Sequence, residues 1–352
     1  MIDAPNPFAQ RQGIRDAGLF YGRAELTRVI LELAASGQSC AVRGERRIGK
    51  TSFLAYVRDP RVLAAHGLDA SRTACVEIDF LAFGSATPNE VWREILDALY
   101  HVVDEAPLTQ RIDRVRASDP ITFAEVRRVL NALTMAAWRL VILCDELEWA
   151  VQNPALDLSF FGALRSLASG QGVVFITASR YGLLELDRAG GGDARREILA
   201  SPFFNIFAER DIGAFEAHEV AALLAGQLEG TQVRFDASDI DVIERSGGRH
   251  PYFVQLLAYH LYDAHRAGID DPLQRAAWAR GRATPEAAKV FQNFWSHSSD
   301  RERGVLEVLA TGSSLVDGQA LAELERRALV RRHHDHATVF SDLFSAWIVA
   351  RE

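Results

Sequence analysis

From residue 44 to residue 51 the sequence reads Gly-Glu-Arg-Arg-Ile-Gly-Lys-Thr. Each residue type has a task at that spacing. Gly44 and Gly49 let the backbone curl so that its N–H groups point at phosphate oxygens, with Arg47, Ile48 and Ser52 lining the same curl. Lys50 supplies a positive charge for the terminal phosphates, and the Thr51 hydroxyl can take one place on Mg²⁺. Residues 39–44 read as a buried strand and the segment after Lys50 as a helix. The positive end of that helix dipole adds to the anion site. A strand–turn–helix setting turns the bare pattern into evidence for a phosphate-binding loop.

A second constellation is independent of the first. The apolar run Leu140–Cys144 ends in Asp145 and Glu146. At the end of a buried strand beside the phosphate-loop strand, Asp145 can hold Mg²⁺ through water, while Glu146 orients and deprotonates an attacking water. The two halves together specify nucleotide hydrolysis, with Lys50 and Glu146 as catalytic groups. A fourth apolar run ends Thr177-Ala-Ser179-Arg180. Arg180 is placed to read γ-phosphate charge, the alternative being a strand-end arginine in solvent. Asp79, at the end of the second run, is read as structural.

The elements that must position these groups alternate along the chain. Apolar runs at 39–44, 74–80, 139–146 and 173–180, with a fifth at 203–209, are separated by helical periodicity, which predicts an α/β fold with a five-stranded parallel sheet. Leu26, Val29, Ile30 and Leu33 share one helical face, as do Val91, Ile95 and Leu99. Thr122 and Glu125 form a capping-box pattern that opens a helix through Leu133. Residues 104–120, with mixed charge and two prolines, and 182–201, with Gly190–Gly192, read as loops. Past residue 210 the strand signal fades. The expected division is a nucleotide-binding core (1–210), a helical lid (211–283) and a winged-helix domain (284–352), the last ending in a short hairpin at 329–341.

Composition narrows the function classes. Hydrophobic residues make up 48% of 352, enough for several cores, and the net charge of −8 argues against nucleic acid as the main ligand. Three scattered cysteines, Cys40, Cys75 and Cys144, form neither a disulfide framework nor a metal knuckle. His333, His334 and His336 crowd a tight turn with Asp335 and cannot converge on one ion. Neither a signal peptide nor a membrane-length apolar stretch is present, so a cytoplasmic protein without membrane contact is expected.

With these residues in hand, the chain resembles the STAND/AAA-like ATPases, near the archaeal ATPases and origin-recognition proteins. Phe20-Tyr21-Gly22-Arg23 followed by Glu25 is similar to the group's hhGRxxEL motif, which implies that Tyr21, Gly22 and Arg23 contact or shape an adenine pocket. Gly247-Gly248-Arg249-His250-Pro251 resembles the lid's GxP motif, which implies that Pro251 packs on the base and leaves Arg249 either on phosphate or in solvent. His250 is read as a packing residue. Arg180 matches the arginine ending the sensor strand, and residues 340–347 resemble the end of the group's winged helix. The resemblance implies ATP and Mg²⁺ as ligands, slow or partner-activated hydrolysis, self-association, and a switch working with partner proteins in signalling or antiviral defence. Full STAND proteins carry an effector or a repeat sensor domain, neither of which is evident here, so an effector on a separate chain or a longer form is expected.

Competing readings differ at particular residues. An origin-recognition-like DNA-binding ATPase would use the segment 318–330 as a recognition helix and Arg331 and Arg332 on phosphate, but Glu323, Glu325, Arg326 and Arg327 balance that helix in charge. A non-hydrolysing, nucleotide-bound scaffold is opposed by Glu146. A small-molecule phosphotransferase is less compatible with separate lid and winged-helix segments. ATP over GTP comes from the resemblance alone.

Overall fold

The computed structural model describes residues 5–10, 12–189, 197–312, 317–332 and 336–351. Its centre is a five-stranded parallel sheet, β1 (Cys40–Arg43), β2 (Thr73–Asp79), β3 (Arg139–Asp145), β4 (Val173–Ser179) and β5 (Ala208–Asp211), in the order β2-β3-β4-β1-β5. Side chains alternate between its faces and both faces are covered, so the central strands are apolar throughout. On β3, Val141 and Leu143 join Val42, Val174 and Ile176 against α1 (Ala24–Ala35), α2 (Lys50–Val57) and α3 (Pro60–Ala65). Leu140, Ile142 and Cys144 face the opposite layer of α4 (Pro88–Val102), α5 (Ala106–Arg116), α6 (Phe123–Met135), α7 (Leu147–Gln152) and α8 (Leu158–Gln171).

The expected capping box at Thr122 and Glu125 forms, as does a second at Thr87 and Glu90. Two local expectations are corrected. The expected loop 104–120 contains α5: Pro107 sits in its first turn, where proline has no bond to lose, and Ile112 is buried. The fifth strand is not at 203–209 but at Ala208–Asp211. The aromatic run before it forms a short 3-10 turn, Pro202–Ile206, in which Phe203 and Phe204 pack tilted against Phe161 and edge-on against each other, and Phe203 also packs edge-on against Phe175. As an edge strand, β5 is exposed and polar.

The remainder is helical: α9 (Ala217–Leu228), α10 (Ala237–Gly247), α11 (Pro251–Arg266), α12 (Pro272–Ser296), α13 (Asp300–Ala310) and α14 (Gly318–Arg326). An antiparallel hairpin of β6 (Val330–Arg332) and β7 (Ala337–Val339) follows, and α15 (Asp342–Val349) closes the order. One apolar core serves all of them, from Val220 and Leu223 to Phe340, Phe344 and Ile348. Residues 283 and 284 lie within α12, which runs unbroken past Pro285 for 25 residues. Gly190–Gly192, His333, His334 and Asp335 lie outside the described residues. Among the described residues no helix is long and apolar enough to cross a membrane.

Candidate functional site

The phosphate-binding loop leaves β1 at Gly44 and enters α2 at Lys50. Two left-handed residues, Arg47 (φ 63°) and Gly49 (φ 104°), curl it back on itself. At Gly44 a Cβ would lie 2.6 Å from the Ile212 carbonyl oxygen, so only glycine fits between the loop and the chain leaving β5. Lys50 Nζ is folded inward and donates to the carbonyls of Gly44 (2.9 Å) and Glu45 (3.3 Å). Thr51 Oγ1 donates to Asp145 Oδ2 at 2.6 Å. Burial pushes the Asp145 carboxyl above its ordinary range, while the Thr51 hydroxyl and Lys50 pull the other way.

The sequence placed Asp145 on the strand beside the phosphate-loop strand, and this is corrected: β4 lies between β1 and β3. The hydroxyl and the carboxylate still meet, because α2 packs across β4 and β3 and so carries Thr51 over the intervening strand. Glu146 turns the chain out of β3 with φ 51°, and its side chain borders two adjoining cavities.

The larger cavity, about 700 Å³, is of a size to hold a nucleotide. Of the residues singled out from sequence, Tyr21, Arg23, Arg47, Ile48, Gly49, Lys50, Thr51, Ser52, Glu146 and Pro251 line it, as does Asp79, which was read as structural. Gly22 and Gly44 do not; they permit close approaches. A Cβ on Gly22 (φ 76°) would lie 2.7 Å from a Glu219 carboxylate oxygen. Arg23 shapes the wall: its guanidinium donates to the Gly213 and Ala214 carbonyls and lies 4.6 Å over the Phe215 ring. Tyr21 packs directly on Gly226 of α9, where a side chain could not fit.

Several lining residues escaped the sequence reading. Phe215, Leu223, Tyr252, Gln255 and Leu256 come from the helical segment after β5, and Arg47 lies 4.5 Å over the Tyr252 ring. Gln10, Gln12, Gly13 and Ile14 form a strap across the opening. Asn6 ties the strap to α11 through the Tyr259 carbonyl and Asp263, both at 2.9 Å; Phe8 is buried in the helical core, and Ile14 N donates to Ser52 Oγ at 2.9 Å. Only the tertiary structure brings this segment to the site, since it carries no motif.

The smaller cavity, about 210 Å³, adjoins Glu146 and Lys50 and is also bordered by Arg180 and Glu148. Arg180 is not in solvent. Its Nε lies 3.2 Å from Glu45 Oε1, and its Nη2 donates to Asn293 Oδ1 of α12 at 2.8 Å. Glu45 itself is buried and shared. Arg327, the residue just after α14, holds its other oxygen at 2.7 Å while also donating to Glu302 and to Ser298 Oγ, each at 3.1 Å. Burial pushes Glu45 up, but Arg327 and Arg180 overcome it and hold the carboxyl down at about 2. This residue was passed over because its place in the loop pattern accepts any amino acid.

The remaining candidates fall outside the cavities. Arg249 pairs with Glu244 at 3.1 Å. His250 is buried between Phe253, Phe294 and Phe340, and burial drives its pKa down to about 3. Arg332 pairs with Glu325, and Arg331 is half-buried. Cys40 and Cys144 are buried and free.

No protein-family profile matches the sequence, and no curated protein matches it. Solved structures do. A Walker-type ATPase of Pyrococcus abyssi superposes with a TM-score of 0.65 at 14% identity, covering 97% of this chain and 99% of that one. The Aeropyrum pernix ORC2 protein, solved as ADPNP–ADP complexes, gives 0.56 at 13% identity, covering 99% and 98%. Its ADP form gives 0.54 at 14%, covering 98% and 97%. At these identities the likeness establishes the fold alone: the parallel sheet with its flanking helices and the helical C-terminal segment are shared with these structures.

Proposed function

We propose that this chain is an ATP-binding, slowly hydrolysing molecular switch of STAND/AAA-like type that couples nucleotide state to conformation or assembly with protein partners, in signalling or defence. The observation that carries the reading is the 2.6 Å contact between Thr51 and Asp145 at the floor of a nucleotide-sized cavity that Lys50 and Glu146 border. A hydroxyl and a buried carboxylate in contact are a donor set suited to a hard divalent ion with oxygen ligands. Mg²⁺, when bound, offsets charge on the β- and γ-phosphates. Thr51 would hold it directly and Asp145 through water.

The chain's own groups then divide the work. Loop N–H groups and Lys50 bind the phosphates; Lys50 exchanges its two backbone carbonyls for phosphate oxygens. Glu146 accepts a proton from water as that water's oxygen bonds to the γ-phosphorus and the bond to the β-phosphate breaks. Tyr21, Arg23 and Pro251 wall the base, so closure of the helical segment 211–283 on the core 1–210 depends on what the cavity holds. Arg180 can engage a γ-phosphate only by loosening its hold on Glu45. Because Glu45 also binds Arg327, that exchange reaches the C-terminal segment 284–352, proposed as a winged helix. A DNA-binding ATPase is the weaker reading: Arg332 is already paired and Arg331 is half-buried.

The test is nucleotide binding and turnover by the wild type, Lys50→Ala and Glu146→Gln. The expected pattern is slow turnover in the wild type, weakened binding in Lys50→Ala, and binding without turnover in Glu146→Gln. Equal binding by wild type and Lys50→Ala would overturn the reading.

A further inference from the structure

Two residues beyond Glu146, in the first turn of α7, lies a second acid. Glu148 is 6% exposed, and one of its oxygens, Oε1, accepts the backbone N–H of Arg180 at 3.2 Å. The other, Oε2, is buried without a hydrogen-bond partner among the described residues. A carboxylate oxygen left in that condition is destabilising, and a structural role at α7 would not require it. Leu or Gln would pack there without it.

The orphaned oxygen belongs to a side chain that borders the 210 Å³ cavity, and that cavity is bounded by the groups that handle the γ-phosphate: Lys50, Glu146 and Arg180. It is large enough for several waters, and its polar lining gives water the partners it needs. Glu146 borders both this chamber and the nucleotide cavity, so the two carboxyls meet at the water side of the phosphate.

We propose that Glu148 is a second acid of the hydrolytic site, accepting one hydrogen bond from the attacking water through Oε2 while Glu146 accepts the other. This rests on the reading of the site as an ATPase. Fixing both hydrogens of the water aims its lone pair at the γ-phosphorus. When the new P–O bond forms and the bond to the β-phosphate breaks, the water's proton passes to Glu146, and Glu148 holds the other hydrogen throughout. The Arg180 N–H fixes the carboxyl plane, so the orientation is built into the junction of β4 and α7.

The titratable and charged groups that line the chamber with Glu148 are Lys50 from α2, Arg46 from the phosphate-binding loop, Glu146 after β3, Arg180 and Tyr181 after β4, and His297 beyond α12. Burial raises the Glu148 carboxyl to about 7, with Lys50 opposing and Glu146 adding to the rise. Only the ionised form is a pure acceptor. Turnover should therefore climb as pH rises through the neutral range, a limb set by Glu148 together with the carboxyl coupled to it.

The experiment compares ATP turnover from pH 5.5 to 9, and nucleotide affinity, in the wild type, Glu148→Gln, Glu148→Asp and Glu146→Gln. Glutamine can keep its oxygen on the Arg180 N–H, which leaves an NH₂ donor where an acceptor is needed. Glu148→Gln should bind nucleotide as the wild type does, lose about 10²-fold in kcat, and lose the limb near pH 7 from what remains. Glu148→Asp should keep the limb with intermediate turnover. If Glu148→Gln folds, binds, and turns over within twofold of the wild type with an unchanged pH profile, while Glu146→Gln is inactive, the proposal fails and the ATPase reading stands. Should Glu148→Gln misfold, a wild-type or Glu148→Asp profile flat between pH 6 and 8 overturns it instead. If Glu146→Gln turns over as the wild type does, the ATPase assignment and this proposal fall together.

Discussion

Replacing Arg327 with methionine removes one of the two cations that neutralise Glu45 without emptying the space. Glu45 is 1% exposed, and its carboxyl is held at about 2 against an ordinary value of 4.5. At about 1.4 kcal/mol for each tenfold change in proton affinity, that difference corresponds to roughly 3 kcal/mol. An independent route gives a similar figure: stripping one partner from a buried ion pair costs about 3–5 kcal/mol. Arg180 remains on Glu45, and Glu302 loses a partner too, so we expect Arg327→Met to lose about 3 kcal/mol. The assay is urea unfolding at pH 7 of the wild type, Arg327→Met, Glu45→Gln and the double variant. Because Glu45→Gln removes the charge that Arg327 serves, the double variant should lose far less than the sum, with a coupling of about 2 kcal/mol. The pH dependence has a definite sign. A carboxyl depressed in the folded state stabilises it above the unfolded value and loses that contribution as pH falls through the folded one. The Glu45 share should be constant above pH 5 and lost between about 4.5 and 2. Additivity within about 0.5 kcal/mol would refute the argument, since independent sites behave that way.

Gly226→Ala should destabilise the protein by about 1–3 kcal/mol and weaken nucleotide binding, although alanine normally favours a helix, because the new methyl would sit 2.2 Å from the Tyr21 hydroxyl oxygen; thermal melting with and without nucleotide reads both. His250 is kept neutral down to about 3, whereas the unfolded chain protonates near 6.5, so stability should fall by about 1.4 kcal/mol for each pH unit below that value. Urea midpoints of wild type and His250→Leu from pH 7 to 5 should diverge, with the shallower slope in the variant.

How far the sequence carries depends on whether a residue acts through its neighbours in the chain or across the fold. The pattern around Lys50 and Thr51 and the Asp145–Glu146 pair stood out because each follows an apolar run, the first across a glycine-bounded loop and the second directly. Strands β1 to β4 were readable from the same runs. Strand order was not: Asp145 was expected beside β1, and β4 intervenes, because crossover connections leave no mark on the residues they join. The fifth strand was misplaced because aromatic residues favour strands and tertiary packing alike, and Phe203 and Phe204 serve the second. Helix α5 was hidden by flanking prolines. Glu45 and Glu148 were invisible for a different reason. A buried carboxylate looks like any acidic residue until its partners, here Arg327 from far along the chain, are in place.

Helix α12 carries a mechanical consequence. Its 25 residues begin at Pro272 and end beyond Asn293, whose side chain holds Arg180. At 1.5 Å per residue, Asn293 stands about 32 Å from Pro272. A tilt of ten degrees about that end would carry Asn293 through about 6 Å, well beyond the reach of a hydrogen bond. The contact between Asn293 and Arg180 therefore tolerates only a small tilt of α12, and the length of the helix sets how small.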